Sequence, residues 1–151
     1  MSFPEIAELV PHRGPLCLLD RVLSHDIRET VCSVTPTAGD LLADADGRVP
    51  VWIGLEYMAQ CVAAHGGLVS RSSGGSPRPG LFLGSRRVTF GAQRFEPGRP
   101  LRVTARHHAG QRGLVAFDCE VADESAEAPL VQGRVNVYIV DSWQELGDPA
   151  E

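Results

Sequence analysis

Apolar residues recur along this chain with two different periods, and the change between them divides it. Leu101, Val103 and Ala105 alternate with Arg102, Thr104 and Arg106, and Val131, Gly133, Val135, Val137 and Ile139 alternate with mostly polar neighbours. A period of two is that of strands with one wet face. Between a Gly- and Asp-rich stretch and a Ser/Gly-rich one the spacing changes: Leu55, Met58, Ala59, Val62, Ala63 and Gly66 recur at three- and four-residue intervals. That pattern predicts one long buried helix from Val51 to Val69, fading at Gly66-Gly67.

The remaining punctuation fills in the order of elements. A short amphipathic turn at Pro4 to Val10 is stopped by Pro11, and strands are expected at Leu16 to His25 and Glu29 to Thr35. Pro36 to Val49, with two glycines and three aspartates, reads as a loop leading through Pro50 into the helix. After the Ser/Gly/Pro stretch Ser70 to Gly80, strands are expected at Leu81 to Phe90, Pro100 to His108, Leu114 to Val121 and Leu130 to Val140. Two strands, one long apolar helix and four strands predict an α+β domain in which one antiparallel sheet covers a single helix. With 151 residues the chain is expected to form one domain over 1–151, with 142–151 as a loose tail.

Composition narrows the function. Hydrophobic residues make up 43% and charged residues 22%, ordinary globular material, and no apolar run approaches the length of about eighteen residues that marks a membrane span. The acidic opening Met-Ser-Phe-Pro-Glu-Ile-Ala-Glu lacks the layout of a secretory signal, so a cytoplasmic location without membrane attachment is expected. Cys17, Cys32, Cys61 and Cys119 stand singly among apolar neighbours and read as reduced core residues, with no spacing suited to a metal. All 14 basic residues are arginine, which excludes chemistry through a lysine amine. A net charge of −5 argues against nucleic acid as a partner. Seven arginines from Arg86 to Arg112 face only Glu96 in the same stretch, which suggests a locally basic face.

Glu56 is the residue that stands out. A carboxylate among the apolar positions of a buried helix costs several kcal/mol unless it is paired, or else it holds its proton. Gln60 lies one turn beyond it and Trp52 one turn before it, so the three form a stripe that could line a cavity. A wet helix edge is the plainer alternative.

Two segments carry a resemblance. Pro11-His12-Arg13, followed by Leu19-Asp20-Arg21-Val22, resembles the opening of the bacterial 3-hydroxyacyl-acyl carrier protein dehydratases, and Glu56-Tyr57-Met58-Ala59-Gln60 is similar to their Glu-x-Met-Ala-Gln helix. The stretches Pro50 to Gln60 and Gly80 to Arg87 are similar to the subgroup found with aryl polyene and related polyketide-like pathways. The resemblance covers nearly the whole chain and implies the hot-dog fold, a curved antiparallel sheet wrapped around one central helix. It also implies dehydration of a 3-hydroxyacyl thioester carried on phosphopantetheine, with no cofactor or metal of the protein's own.

One departure is plain. Those dehydratases carry a catalytic histidine in a His-Phe-Pro-Gly loop before the helix, whereas Leu41 to Val49 here contains no histidine, and Val51 replaces the usual glycine. By resemblance Glu56 is the acid that protonates the leaving hydroxyl, and backbone N–H groups around Trp52, Ile53 and Gly54 hold the thioester oxygen, with Gln60 beside them. His12 is the best base within the chain, or else a turn histidine bonded to a carbonyl. His107 and His108 are neighbours on a strand and cannot act together. Resembling domains pair through their sheets, so a homodimer, or a heterodimer whose second hot-dog subunit supplies the histidine, is implied. The chain could then be a non-catalytic partner; thioester hydrolysis through Glu56-activated water is the other alternative. Arg86 and Arg87 are the expected landing point for an acidic acyl carrier protein and its phosphopantetheine arm.

Overall fold

The computed structural model describes residues 2–75 and 80–140. A four-residue helix α1 (Ile6–Leu9) and a 3-10 turn (Gly14–Leu16) precede β1 (Arg21–His25) and β2 (Glu29–Val34). A two-residue strand β3 (Val49–Pro50) and a second 3-10 turn (Val51–Ile53) lead into α2 (Gly54–Ser72). Then follow β4 (Gly80–Phe90), β5 (Arg94–Phe95), β6 (Leu101–Gln111), β7 (Leu114–Ala122) and β8 (Val131–Ile139). Six strands form one antiparallel sheet in the order β1-β2-β6-β7-β8-β4, and β3 pairs with β5. The sheet curves around α2: this is the hot-dog fold.

The inward-facing side chains explain the curvature. Val103 and Ala105 on β6, Val121 on β7, and Val131 and Val135 on β8 are fully buried, as are Met58, Cys61 and Ala64 on α2. These positions repeat every second residue on strands and every third or fourth on the helix, so one apolar face of each element meets the other. The β6–β7 hairpin turns at Arg112 and Gly113, both with positive φ (54° and 85°), the backbone of a tight two-residue turn whose twist matches the strands.

Several boundaries differ from the sequence reading, β6 among them, which runs on from the expected His108 to Gln111. The expected strand from Leu16 begins only at Arg21, because the backbone of Leu16 and Leu18 is hydrogen-bonded by the buried side chain of Gln60 and not by a neighbouring strand. The helix begins one 3-10 turn later than Val51 and continues past Gly66-Gly67 to Ser72. Gly67 is held in the helix by packing: a Cβ there would lie 2.8 Å from the carbonyl oxygen of Leu9 on α1. The pair β3–β5 carries no sequence signal, being only two residues long on each side. The expected tail at 142–151 lies outside the described residues. No helix among the described residues is long and apolar enough to cross a membrane.

Candidate active site

The first turn of α2 places Glu56 beside the opening segment. Its Oε1 lies 3.1 Å from His12 Nε2 and accepts a 3.0 Å hydrogen bond from Gln60 Nε2. Gln60 is fully buried: its Oε1 accepts from the Leu18 N–H at 2.9 Å, and its Nε2 also donates to the Leu16 carbonyl at 2.8 Å. An amide can satisfy four bonds; of these three, the two to Leu16 and Leu18 tie the opening segment to the helix and the third holds Glu56. Arg13 fastens the same turn from outside, donating to the carbonyls of Val10 and His12.

Glu56 is not sunk into the core. Its side chain is 43% exposed and that of His12 29%, and both line the mouth of a cavity of about 1100 Å³ that runs along α2. The helix side of this cavity combines the small residues Ala59, Ala63 and Gly66 with Leu55, Val62 and Val69, and the sheet side is formed by Phe82, Val115, Phe117, Val137 and Ile139. Apolar walls with a carboxylate at the entrance suit a chain that is greasy along its length and polar at one end. A smaller pocket of about 270 Å³, lined by Asp20, Asp40 and Tyr57 among others, includes neither Glu56 nor His12.

The ring of His12 is engaged on one side only. Nε2 faces Glu56, while Nδ1 is buried and without a hydrogen-bond partner. Through Nε2 the ring contacts the carboxylate of Glu56 at the cavity lining.

The other residues singled out from sequence are placed differently. Trp52, expected beside Glu56 in the cavity, is 58% exposed and absent from its lining; in the 3-10 turn its side chain does not continue the face set by the α-helix. Ile53 is buried. Gly54 is a packing residue, since a Cβ there would lie 2.7 Å from Val131 and 3.1 Å from Phe95. No side chain caps the 3-10 turn or α2. The N–H of Gly54 is bonded to the carbonyls of Val51 and Trp52, which takes it out of the set of free donors expected there.

The basic face expected from the arginine-rich stretch is mostly neutralised by carboxylates that are distant in sequence. Arg94 meets Asp44 at 3.1 Å, Arg99 meets Asp123 at 3.2 Å, Arg102 meets Glu124 at 3.5 Å and Arg106 meets Glu29 at 2.8 Å. Arg86 and Arg87 stay exposed on the edge strand β4, and Arg87 has a left-handed backbone (φ 54°) at an irregularity in the β4–β8 register. Asp20 accepts the Thr35 N–H at 2.8 Å.

Histidines and cysteines elsewhere add chemistry that the sequence pattern did not reveal. The hydroxyl of Thr30 joins His25 Nδ1 at 2.7 Å and His65 Nδ1 at 2.8 Å. Burial holds the His65 imidazole down to about 4, with His25 and His107 adding to the effect, so it is neutral near pH 7. His108 turns to Asp118 at 3.1 Å, on the face opposite His107, whose ring meets Phe117. Burial pushes the thiols of Cys17, Cys61 and Cys119 up, which leaves them poor nucleophiles. Among the described residues no group of His, Cys, Asp and Glu is arranged to hold a metal ion.

Comparison with known proteins bears on the fold and the family. The profile of the ApeP-like family, described as ApeP dehydratase, matches residues 4–148. The 3-hydroxyacyl-[acyl-carrier-protein] dehydratase FabZ of Chlamydia caviae is 34% identical over 107 residues, covering 67% of this chain and 68% of that protein. Among solved structures, the dehydratase heterocomplex ApeI:P from Xenorhabdus doucetiae superposes with a TM-score of 0.87 at 23% identity, over 96% of this chain and 97% of that one. The PaaI protein of the E. coli phenylacetic acid degradation operon shares the fold at a TM-score of 0.63 and 13% identity, over 82% and 80% of the two chains. The match to the family profile spans nearly the full sequence, and on that ground the chain belongs to the ApeP-like dehydratase family.

Proposed function

We propose that this chain is a subunit of a 3-hydroxyacyl thioester dehydratase acting on acyl groups carried by an acyl carrier protein, and that Glu56 is its acid. The observation that carries this reading is a half-exposed carboxyl, pinned by Gln60 and His12, at the mouth of a long apolar cavity. The acyl chain lies along Ala59, Ala63 and Gly66, which brings C2 and C3 of the thioester to the entrance. A base removes the C2 proton, the electrons of that C–H bond form the C2–C3 double bond, and the C3–O bond breaks toward oxygen. The departing oxygen takes the proton of Glu56 and leaves as water; the proton on the base returns to Glu56 before the next turnover.

His12 is a positioning residue in this scheme, because its Nε2 is spent on Glu56 and its Nδ1 is enclosed. The loop from Leu41 to Val49 holds no histidine, so the base comes from a second hot-dog subunit. The resemblance to a solved dehydratase heterocomplex supports a partner of the same fold. The carrier protein's phosphopantetheine reaches the entrance past Arg86 and Arg87, exposed on β4.

The test is to incubate a 3-hydroxyacyl carrier-protein thioester with this chain alone, and then with a histidine-bearing hot-dog subunit added, following product mass. Loss of one water only when both subunits are present is the expected outcome. Release of free thiol would make the protein a thioesterase, and full turnover by this chain alone would remove the need for a partner histidine.

A further inference from the structure

A second pocket, which the dehydration scheme leaves unused, lies against another face of α2. Tyr57 follows Glu56 in the chain but points about 100° further around the helix. It lines the smaller cavity of about 270 Å³, between the opening segment and the loop after β2. Its ring is seated 5.5 Å from that of Phe95, and the residue is only 1% exposed. Yet its hydroxyl makes no hydrogen bond among the described residues; what acts on it across the pocket is the charge of Asp40 and of Asp20. A buried phenol ordinarily finds a partner, so a hydroxyl that meets a cavity without one has a bond to give to a ligand.

The two carboxylates are held in place by the same loop. Asp40 accepts the N–H of Thr37 on one oxygen at 2.9 Å and its hydroxyl on the other at 2.7 Å, and Asp20 accepts the Thr35 N–H at 2.8 Å. A carboxylate has about four acceptor positions, so both keep lone pairs for something else. No residue lining the pocket is basic, and at Asp20 the repulsion from Asp40 outweighs the attraction of Arg21. Elsewhere the fold brings arginines to carboxylates, as at Asp44, Asp123 and Glu124; here it brings two carboxylates together and supplies no cation.

The missing cation is better matched by nitrogen than by metal. Among the described residues no third His, Cys, Asp or Glu joins the pair to make a metal-binding group. A guanidinium, by contrast, carries five N–H donors in one plane and can reach both carboxylates and a phenol oxygen together.

We infer that the pocket beside Tyr57 is a binding site for a guanidinium group, held by charge-assisted hydrogen bonds to Asp20 and Asp40 and by a further one accepted by the Tyr57 oxygen. The group comes from a small free guanidine or from an arginine side chain of another protein. Leu41, 63% exposed at the rim, offers apolar surface to the chain around such an arginine. The inference does not rest on the acyl-site reading, and its test involves no turnover.

The experiment is a titration of the ¹⁵N-labelled full chain followed at the amides of Thr35 and Thr37, which bond the two carboxylates directly. N-acetylarginine methylamide is expected to shift both signals saturably. Its citrulline counterpart, of the same shape without the charge, is expected to bind about tenfold more weakly or worse. Asp20→Asn is expected to weaken the arginine probe about tenfold, and Tyr57→Phe, which keeps the contact with Phe95, about threefold. Should Asp20→Asn fail to fold by circular dichroism, Asp40→Asn carries the same expectation. Ethylguanidinium identifies the source: affinity equal to the arginine probe supports a free guanidine, and weaker affinity supports a side chain whose flanking atoms add contact. Equal binding of the citrulline probe, or arginine binding unchanged in a folded carboxylate variant, would overturn the inference. So would the absence of any shift, which would leave the pocket to water.

Discussion

The two faces of α2 are made of nearly the same kinds of residue and do opposite things. On one side Tyr57, Met58, Cys61, Ala64 and Leu68 are buried against the sheet, with the Tyr57 ring 5.5 Å from that of Phe95. On the other, Ala59, Val62, Ala63 and Gly66 face an open volume of about 1100 Å³. Both faces are apolar, so hydrophobicity alone does not tell core from substrate site; side-chain size does. Large side chains fill the space they create, whereas a run of Ala and Gly leaves a space for something else.

That contrast can be broken from either side. Truncating the packed face should act on stability: Met58→Ala, at a position with no exposure, is expected to cost about 2–5 kcal/mol in a denaturant titration through the cavity it leaves. Filling the open face should act on substrate instead. Ala63→Leu is expected to raise KM for a medium-chain substrate by about tenfold, with little change for 3-hydroxybutyryl and little change in Tm. A uniform loss with chain length, or a large fall in Tm, would mean that Ala63 faces core.

Two adjacent glycines sharpen the same comparison with smaller effects. A Cβ at Gly66 meets nothing within 4 Å, while one at Gly67 would press on the Leu9 carbonyl at 2.8 Å. Gly66→Ala is therefore expected to stabilise the protein by about 0.5–1 kcal/mol through helix propensity. Gly67→Ala is expected to destabilise it by about 1–3 kcal/mol, as overpacking does. Thermal unfolding of the two variants side by side checks the signs, and equal shifts would contradict this placement of the cavity.

The parts of the molecule that were legible in the sequence are those where a local pattern suffices. Alternation gave away β6 and β8, the spacing of Leu55, Met58, Ala59 and Val62 gave away α2, and the rarity of a carboxylate in such a helix marked Glu56. What was hidden depends on long-range partners. Leu16 to Leu18 looks like strand, but Gln60, more than 40 residues away, bonds the backbone of Leu16 and Leu18. Arg94, Arg99, Arg102 and Arg106 look like a basic face until the fold brings Asp44, Asp123, Glu124 and Glu29 to them. The Thr30–His65 bond joins a strand to a helix across 35 residues, and no spacing rule anticipates it.

The account depends on the carboxyl at the start of the open face. Its most direct test is steady-state dehydration of a 3-hydroxyacyl carrier-protein thioester by Glu56→Gln in the assembled enzyme. The amide keeps the shape and can still bond His12 and Gln60 but delivers no proton, so kcat is expected to fall by about a hundredfold or more with Tm little changed. A folded Glu56→Gln that turns over at close to the wild-type rate would contradict it.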